Sequence, residues 1–243
     1  MIGISGFGFV GSAVYSNIKD KSKVKIYDPA LPKYNNIIEL LKCSTIFICV
    51  GTPLRNNEMD ATAVIDNILF LKDNDYTGLI VIKSTVHPTY LHKSLLKGIN
   101  IVSNPEFLNE NSAYDDFKNQ KLIIIGGRID LATQLKSIYD TYFNVDAEYE
   151  FMKFDEALIF KYIRNIKIAY DVMFWEFVNE TTNNYRKYKR TLEKIPFEIK
   201  NIRTDGNPGF GGHCLPKDTA SYPDSILTEY LLKYNKTIRK IVN

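Results

Sequence analysis

The sequence has few of the residues that cross-link a chain or bind metal ions. It contains three cysteines and three histidines in 243 residues, and neither type occurs at a spacing typical of a disulfide framework or a zinc site. No apolar run is long enough to cross a bilayer, and the chain opens on a strand-like segment rather than a secretory leader. We therefore expect no metal, no membrane association and a reduced, cytoplasmic setting.

The sequence also lacks a strong charge of either sign. Its net charge is +3, and its basic residues are scattered apart from one short run, KYKRTLEK, at 187–194. Proteins that bind nucleic acid usually cluster Lys and Arg on one face, whereas short charge runs are usually solvated helix faces. These observations favour a globular protein without a nucleic-acid partner.

Short apolar runs alternate with helix-like segments through the first 150 residues. The strand-like runs lie at 2–5, 24–27, 45–50, 79–82, 101–103 and 122–125. The helix-like segments lie at 10–18, 36–41, 61–71, 90–96 and 131–142. This alternation predicts βαβ units and an α/β fold with a parallel, doubly wound sheet.

The pattern changes near residue 150. No Gly or Pro interrupts residues 154–184, where apolar residues recur at helical spacing, so we expect one long helix there. Shorter helices are expected at 186–194 and 225–240, on either side of a Gly- and Pro-rich loop at 205–216. The predicted organisation is a dinucleotide-binding domain at 1–150 and a helical region at 151–243, with the long helix able to bury an interface.

The segment GFGFVG follows the first predicted strand and opens the first helix. In a GxGxxG loop, the first Gly permits a tight turn, the second lets backbone approach a pyrophosphate, and the third lets helix and strand pack closely. Asp28 ends the second strand, where an acid binds ribose hydroxyls and repels a 2′-phosphate, which favours NAD over NADP. The loop residues expected to contact the cofactor are Gly6, Gly8, Phe9, Val10 and Gly11.

Four further segments carry unusual residues at predicted loops. VGTP (50–53), KSTV (83–86) and NPEFLNE (104–110) each follow a predicted strand, and GFGGHCLPKD (209–218) lies in the second region. The first three stand at the carboxyl ends of parallel strands, where open α/β sheets bind ligands. They are therefore candidates for the chemical site.

The residues alone leave several roles open. Cys214 is either a nucleophile, with thiolate stabilised by a helix N-terminus and Lys217, or an inert buried thiol. Lys161 and Asn165 share one helix face, as a catalytic pair or as surface residues. Glu106 and Glu110 are either an acid–base pair or capping residues. Inert core roles are expected for Cys43 and Cys49, and surface or loop roles for His87, His92 and His213.

Six segments occur in the order found in one enzyme family: GFGFVG, FICVGTP, KSTV, NPEFLNENSAYDDF, KYIRN and GFGGHCLPKDT. Together they make the sequence resemble the UDP-glucose/GDP-mannose dehydrogenase family. The resemblance implies a Rossmann-type NAD-binding fold followed by a helical region, and a homodimer formed through the long helix. It implies oxidation of a nucleotide sugar at its C6 alcohol to a carboxylate by two NAD, in polysaccharide biosynthesis. UDP-glucose is the expected substrate, with GDP-mannose and UDP-N-acetylhexosamine as alternatives.

The resemblance also implies residue roles. Cys214 matches the nucleophile that holds the substrate as a thiohemiacetal and then a thioester. Lys161 and Asp218 match a polar pair that stabilises oxyanions and handles protons, Asn165 matches the helix residue beside that Lys, and Glu106 matches the acid implicated in thioester hydrolysis. An ammonium and an amide on one helix face suit the negative charge that develops at C6.

Further matches concern binding. Around the cofactor the matching residues are Lys33, Thr52, Thr85, Glu110 and Lys217, with Thr85 also near the reacting centre. Around the substrate they are Glu106, Phe107, Leu108, Lys161, Asn165, Gly211, Gly212 and Cys214.

Some features depart from the family pattern. Asn109 stands where many relatives have Arg, and His213 precedes the Cys at a variable position. The chain ends soon after the PKDT segment, whereas family members continue through a further domain that helps bind the nucleotide, so we expect weak substrate affinity. A non-catalytic or partner-dependent NAD-binding module is the alternative. A hydroxyacid-type oxidoreductase is a third reading, which would not need the Cys, Lys and Asp group.

Overall fold

The computed structural model describes residues 1–56, 58–194, 209–210, 215, 219–220 and 226–240. The chain divides into two compact units, Met1–Asn165 and Ile166–Asn243. The division falls inside one long helix. The domain boundary that we placed at residue 150 stays a prediction.

The first unit alternates strands and helices. Its strands are β1 (Ile2–Ser5), β2 (Val24–Tyr27), β3 (Thr45–Ile48), β4 (Leu54–Arg55), β5 (Glu58–Met59), β6 (Leu79–Ile82), β7 (Asn100–Ser103), β8 (Leu122–Gly126) and β9 (Glu148–Met152). Its helices are α1 (Phe9–Asn17), α2 (Thr62–Asp73), α3 (Lys93–Leu96), α4 (Ala113–Asn119), α5 (Ile129–Tyr142) and the start of α6 (Phe154–Thr182).

Seven strands form one sheet in the order β2-β1-β3-β6-β7-β8-β9. The first five strands in this order, β2, β1, β3, β6 and β7, are mutually parallel, and the order reverses between β1 and β3. Strands β4 and β5 pair with each other in a separate antiparallel hairpin. The predicted doubly wound α/β fold is confirmed. One neighbouring pair departs from the parallel pattern, because β8 meets β7 antiparallel at Ser103 and Gly126. The two strands overlap only at their carboxyl ends, so β8 extends beyond the edge of the sheet where β7 stops.

The sheet is apolar on both faces because helices cover both. Strands β1, β3 and β6 are buried along their whole length, as expected for parallel strands packed on two sides. Alternate residues enter two clusters, with Phe47 and Val81 in one and Ile46 and Ile80 in the other. The first cluster receives α1, α4 and α5, and the second receives α2 and the start of α6.

Several segments differ from the sequence-based expectation, among them the two short strands β4 and β5, which were not predicted. Helix α4 and strand β9 were not predicted, because α4 is short and no residue of β9 is buried. The helix expected at 36–41 is a 3₁₀ segment at Ile37–Lys42. The helix expected at 90–96 is a 3₁₀ turn at Pro88–Tyr90 followed by the single turn of α3, since Pro88 fixes the first turn and removes a donor.

The second unit is helical where the structure describes it. It contains the rest of α6, then α7 (Tyr185–Leu192) and α8 (Ile226–Lys240), close to the three predicted helices. The Asn235 side chain on α8 accepts a hydrogen bond from the Phe210 backbone N–H (2.8 Å) and donates one to the Phe210 carbonyl (3.0 Å). Gly209 has φ +81°, and a Cβ there would lie 2.1 Å from Asn235 Oδ1, so this approach requires glycine.

The part of the chain that the structure describes was expected to contain neither a membrane span nor a metal site. Within it, no helix is long and apolar enough to cross a membrane. The same residues contain no group of His, Cys, Asp and Glu side chains placed to hold a metal ion.

Candidate active site

A cleft of about 600 Å³ lies at the carboxyl ends of β1, β2, β3, β6 and β7 in the first unit. It sits where the strand order reverses, which is the general ligand position in open α/β sheets. Its walls are Gly6, Gly8, Phe9, Val10, Asp28, Pro29, Cys49, Val50, Gly51, Thr52, Ala63, Lys83, Ser84, Thr85, Glu106, Leu108 and Lys161.

The three loop glycines have different geometries. Gly6 adopts φ +87°, and a Cβ there would lie 2.8 Å from the backbone of Cys49 and Val50. A Cβ on Gly11 would lie 2.0 Å from the carbonyl oxygen of Gly6, so helix α1 can only pack this close to β1 without a side chain. Gly8 has open space around it. The loop therefore offers exposed backbone to a phosphate at the N-terminus of α1, where the helix dipole favours negative charge.

Asp28 fixes the other side of the loop. Its carboxylate accepts hydrogen bonds from the backbone N–H groups of Phe7 (2.7 Å) and Ala30 (2.9 Å). A carboxylate has about four lone-pair sites, so acceptor capacity is left on the side that faces the cleft. This arrangement suits two ribose hydroxyls and disfavours a phosphate in their place.

Hydrogen bonds join the loops after β3 and β6, which both line the cleft. The Thr52 hydroxyl donates to the Thr85 carbonyl (2.6 Å), and the Ser84 hydroxyl donates to the Val50 carbonyl (2.7 Å). Cys49 is buried beside them, and burial raises the pKa of its thiol to about 12. Cys49 is therefore a protonated wall residue, as its predicted inert role requires.

The far end of the cleft holds a buried ion pair. Lys83 Nζ lies 2.7 Å from Glu106 Oε2, with the two side chains 1% and 6% exposed. Burial acts to lower the pKa of Lys83, but the Glu106 carboxylate and the Tyr139 phenol outweigh that effect and hold the pKa above its ordinary value. Asn104 Oδ1 accepts from both Lys83 Nζ (3.0 Å) and the Tyr139 hydroxyl (2.6 Å).

Lys161 brings a second cation to the same end. Its Nζ lies 5.4 Å from the centre of the Phe107 ring, and the Arg164 guanidinium lies 5.1 Å from the same centre. Burial, together with Arg164, lowers the pKa of Lys161, and Glu106 opposes that shift. Lys161 is thus a partly desolvated ammonium on the cleft wall, as a stabiliser of developing oxyanions would be.

A second cavity of about 460 Å³ lies beyond this end. Glu106 and Leu108 line both cavities, whereas Phe107, Phe160 and Arg164 line only the second. The segment from Glu106 to Leu108 therefore separates the two spaces.

The structure brings together many of the residues predicted for the site. The cleft is lined by Gly6, Gly8, Phe9, Val10, Asp28, Thr52, Thr85, Glu106, Leu108 and Lys161. Gly11 packs behind the loop. Lys33, Glu110 and Asn165 are exposed and do not line the cleft. Gly211, Gly212, Cys214, Lys217 and Asp218 lie outside the described residues, and the roles assigned to all these residues stay predictions.

Sequence reasoning did not assign roles to Lys83, Asn104 or Tyr139. A signal existed for the first: Lys83 directly follows the fully apolar strand LIVI of β6. A lysine at the end of a doubly buried strand needs a nearby anion, and Glu106 stands just beyond the adjacent strand β7. Tyr139 offered no such signal, because it arrives from α5.

The backbone geometry of the glycine loop, the Asp28 carboxylate and the cleft at the strand-order reversal together define a dinucleotide-binding α/β domain of the Rossmann type. Residues 30–143 match the family model described as "UDP-glucose/GDP-mannose dehydrogenase family, NAD binding domain". That model describes an NAD-binding domain, and the cofactor of this chain is NAD. The matched residues begin after the glycine loop, so the loop and the family match are independent evidence for dinucleotide binding.

Relatives among curated proteins carry related names. The chain is 33% identical over 230 residues to UDP-glucose 6-dehydrogenase of Rickettsia bellii (strain RML369-C), with 82% of this chain and 50% of the relative covered. It is 32% identical over 250 residues to UDP-glucose 6-dehydrogenase of Campylobacter jejuni, with 93% and 60% covered. The chain spans about half the length of the curated relatives it matches.

Solved structures share the fold. GDP-mannose dehydrogenase from Pseudomonas aeruginosa superposes with a TM-score of 0.78 at 20% identity, covering 98% of this chain and 68% of that chain. A UDP-glucose dehydrogenase from Pyrobaculum islandicum superposes with a TM-score of 0.63 at 25% identity, covering 99% and 66%. These similarities support the fold.

Proposed function

We propose that the chain is an NAD-dependent nucleotide-sugar 6-dehydrogenase that converts a C6 alcohol to the carboxylate, with UDP-glucose as substrate and UDP-glucuronate as product. One alcohol and one water react with two NAD⁺, giving one carboxylate, two NADH and three protons. The proposed setting is the cytoplasm, on the sequence arguments given above.

One observation carries this proposal. A single cleft contacts the glycine loop and Asp28 at one end and Thr85, Glu106 and Lys161 at the other. A bound dinucleotide would therefore extend from its ribose site towards a carboxylate and an ammonium. The carboxylate can accept a proton near a reacting carbon. The ammonium can stabilise an oxyanion that forms there.

The proposed chemistry divides among the residues as follows. NAD supplies the hydride acceptor when bound. Lys161 would stabilise negative charge on the C6 oxygen, and Glu106 would hold the water that releases the product. Cys214, which lies outside the described residues, is proposed as the nucleophile on the strength of its GFGGHCLPKD segment. Covalent attachment would retain the aldehyde between the two oxidations.

The substrate is tested with the purified chain and NAD. We expect NADH formation from UDP-glucose, with two NADH for each uronate, and slower formation from GDP-mannose and UDP-N-acetylhexosamine. The variants Glu106→Gln and Cys214→Ser should lower turnover by about 10²-fold or more, as expected for loss of acid–base and covalent catalysis. Wild-type turnover in both variants would contradict the assigned chemistry.

A non-catalytic outcome is also distinguishable. If the chain binds NAD but no nucleotide sugar gives NADH, the alternative of an NAD-binding or partner-dependent module is supported instead. Adding a full-length relative then decides between the two forms of that alternative, because only a partner-dependent chain would gain activity.

We also propose a homodimer through helix α6. Ile163, Ile166 and Met173 share one helix face and are 57%, 67% and 62% exposed in the single chain. Such a row of large apolar side chains is typical of a buried interface. Light scattering should give twice the chain mass for the wild type and the chain mass for Ile166→Glu; a monomeric wild type at high concentration would contradict the proposal.

A further inference from the structure

Lys83 is the most deeply buried charged side chain at the cleft. Its side chain is 1% exposed, although the residue immediately follows the apolar strand β6. Desolvating an ammonium costs several kcal/mol unless partners compensate. A lysine at this position therefore indicates a role beyond packing, because an apolar side chain would fill the core without the cost of desolvation.

The partners of Lys83 account for its charge. Nζ lies 2.7 Å from Glu106 Oε2 and 3.0 Å from Asn104 Oδ1, with the Tyr139 hydroxyl at 3.3 Å. The Phe117 ring covers the remaining side, with its centre 5.5 Å from Nζ. Asn104 is itself fixed, because its Nδ2 donates to the Ile124 carbonyl (2.8 Å). The ammonium is thus held from several elements of the fold.

Glu106 is oriented by this arrangement. Its Oε1 accepts from the Phe107 backbone N–H (3.0 Å), and its Oε2 has the Lys83 ammonium at 2.7 Å as its close polar neighbour among the described residues. Glu106 also lines both cavities. Both members of the pair therefore line the cleft, and Glu106 alone of the two also borders the second cavity.

We propose that Lys83 is a positioning residue whose buried ammonium holds the Glu106 carboxylate in place at the cleft. The catalytic consequence rests on the proposed function, since Glu106 is assigned there to the water that releases the product. The positioning itself is independent of that function, because it concerns only the contact of Lys83 with Glu106 in the folded chain.

The other titratable groups that face Glu106 do not provide a positive charge in direct contact with its carboxylate. Cys49 and Tyr139 are buried, and burial raises the pKa of each to about 12, so both are neutral near pH 7. Lys161 influences Glu106 from α6, but it is only partly buried, and burial lowers its pKa. Lys83 is therefore the cation in direct contact with the carboxylate.

The direct test observes Glu106 itself. Carbon-13 NMR of glutamate-labelled protein, with the Glu106 signal assigned from Glu106→Gln, gives the pH at which the carboxylate is protonated. In Lys83→Met this midpoint should rise by at least about one pH unit, since an opposite charge at this distance shifts a carboxyl pKa by about one to three units. Lys83→Arg should return the midpoint most of the way to the wild-type value.

Tyr139→Phe is the matched control. It removes the hydroxyl that contacts Asn104 and Lys83 but leaves the Lys83–Glu106 pair intact, so the midpoint should move by less than about 0.3 units. An equal rise in Tyr139→Phe and Lys83→Met would show that general disruption of the cluster is responsible. That result, or an unchanged midpoint in Lys83→Met, would overturn the proposal.

Loss of folding is addressed by a second pair of variants. Lys83→Gln retains a donor for Asn104 without charge, and Lys83→Met/Glu106→Gln removes both charges. The double variant should recover much of the stability lost in Lys83→Met, because removing one partner leaves an uncompensated buried charge. If the two single losses simply add in the double variant, the pair is not coupled and the proposal fails.

Kinetics then separate this proposal from the proposed function. In Lys83→Gln, kcat should fall about tenfold or more near neutral pH and its acid limb should move to higher pH, while KM for NAD changes by less than about threefold. If the wild type oxidises no nucleotide sugar, the proposed function fails, and the NMR midpoint still decides the role of Lys83.

Discussion

The two ends of the cleft differ in the groups that they present, backbone at one end and charged side chains at the other. The nucleotide end consists of backbone, three glycines and one carboxylate that is bonded to neighbouring N–H groups. The chemical end consists of the buried ion pair of Lys83 and Glu106, which follow β6 and β7, and of the partly buried Lys161 on α6. The comparison shows that the first end depends on close approach of the chain to its ligand, whereas the second depends on charges held out of water.

The largest expected effect falls on the glycine loop. Gly11→Ala places a Cβ within 2.0 Å of the Gly6 carbonyl oxygen, so it should lower the free energy of unfolding by more than about 2 kcal/mol. Gly8→Ala is the matched control, because the space around Gly8 is open. It should change stability by less than about 0.5 kcal/mol and weaken NAD binding by at least about tenfold.

Denaturant unfolding and calorimetric titration with NAD measure both effects. Equal stabilities of the two variants would show that the third glycine is not required for packing. Unchanged NAD affinity in Gly8→Ala would show that the loop does not contact the pyrophosphate.

The next effect concerns the ribose site. Asp28→Ala should weaken NAD binding about ten- to a hundredfold, because charge-assisted hydrogen bonds contribute about 1.5–3 kcal/mol, and should reduce the preference for NAD over NADP. Asp28→Asn retains an acceptor for the Phe7 N–H and serves as the control. A wild type that prefers NADP would refute the assignment of Asp28.

The third prediction contrasts function and stability at the chemical end. Lys161→Met should lower kcat more than it raises KM. The pKa of Lys161 is lowered from 10.5 by burial, so between the folded and unfolded pKa values the unfolded chain binds more protons. The stability of the wild type should therefore rise with pH towards 10.5, and this rise should be absent in Lys161→Met.

The measurement is the difference in unfolding free energy between wild type and Lys161→Met across alkaline pH. A difference that does not change with pH would place Lys161 in solvent, and an unchanged kcat would return it to a surface role.

The smallest effect is expected at Lys33. The family resemblance implies a basic residue near the adenosine ribose at Lys33. In the structure Lys33 is exposed and does not line the cleft. Its Nζ lies 5.2 Å from the centre of the Tyr34 ring. Lys33→Ala should change NAD affinity by less than about twofold, as surface substitutions usually do. A loss as large as that of Asp28→Ala in the same titration would restore Lys33 to the binding site.

The sequence located the glycine loop and Asp28, which line the cleft, because the signals for them are local. A glycine loop between a strand and a helix, with an acid after the next strand, is encoded within 28 residues. The chemical end was predicted only in part, since Lys83, Asn104 and Tyr139 meet through three separate elements and no local pattern joins them. Likewise, strand periodicity does not reveal that β8 meets β7 antiparallel at Ser103 and Gly126.

The most direct test of the central distinction is one calorimetric comparison. NAD is titrated into wild type, Gly8→Ala and Glu106→Gln under identical conditions. Glu106→Gln keeps an acceptor for Lys83 and should bind NAD within about threefold of wild type, whereas Gly8→Ala should lose at least about tenfold. Equal losses in both variants, or a larger loss in Glu106→Gln, would contradict the division of the cleft into a cofactor-binding end and a chemical end.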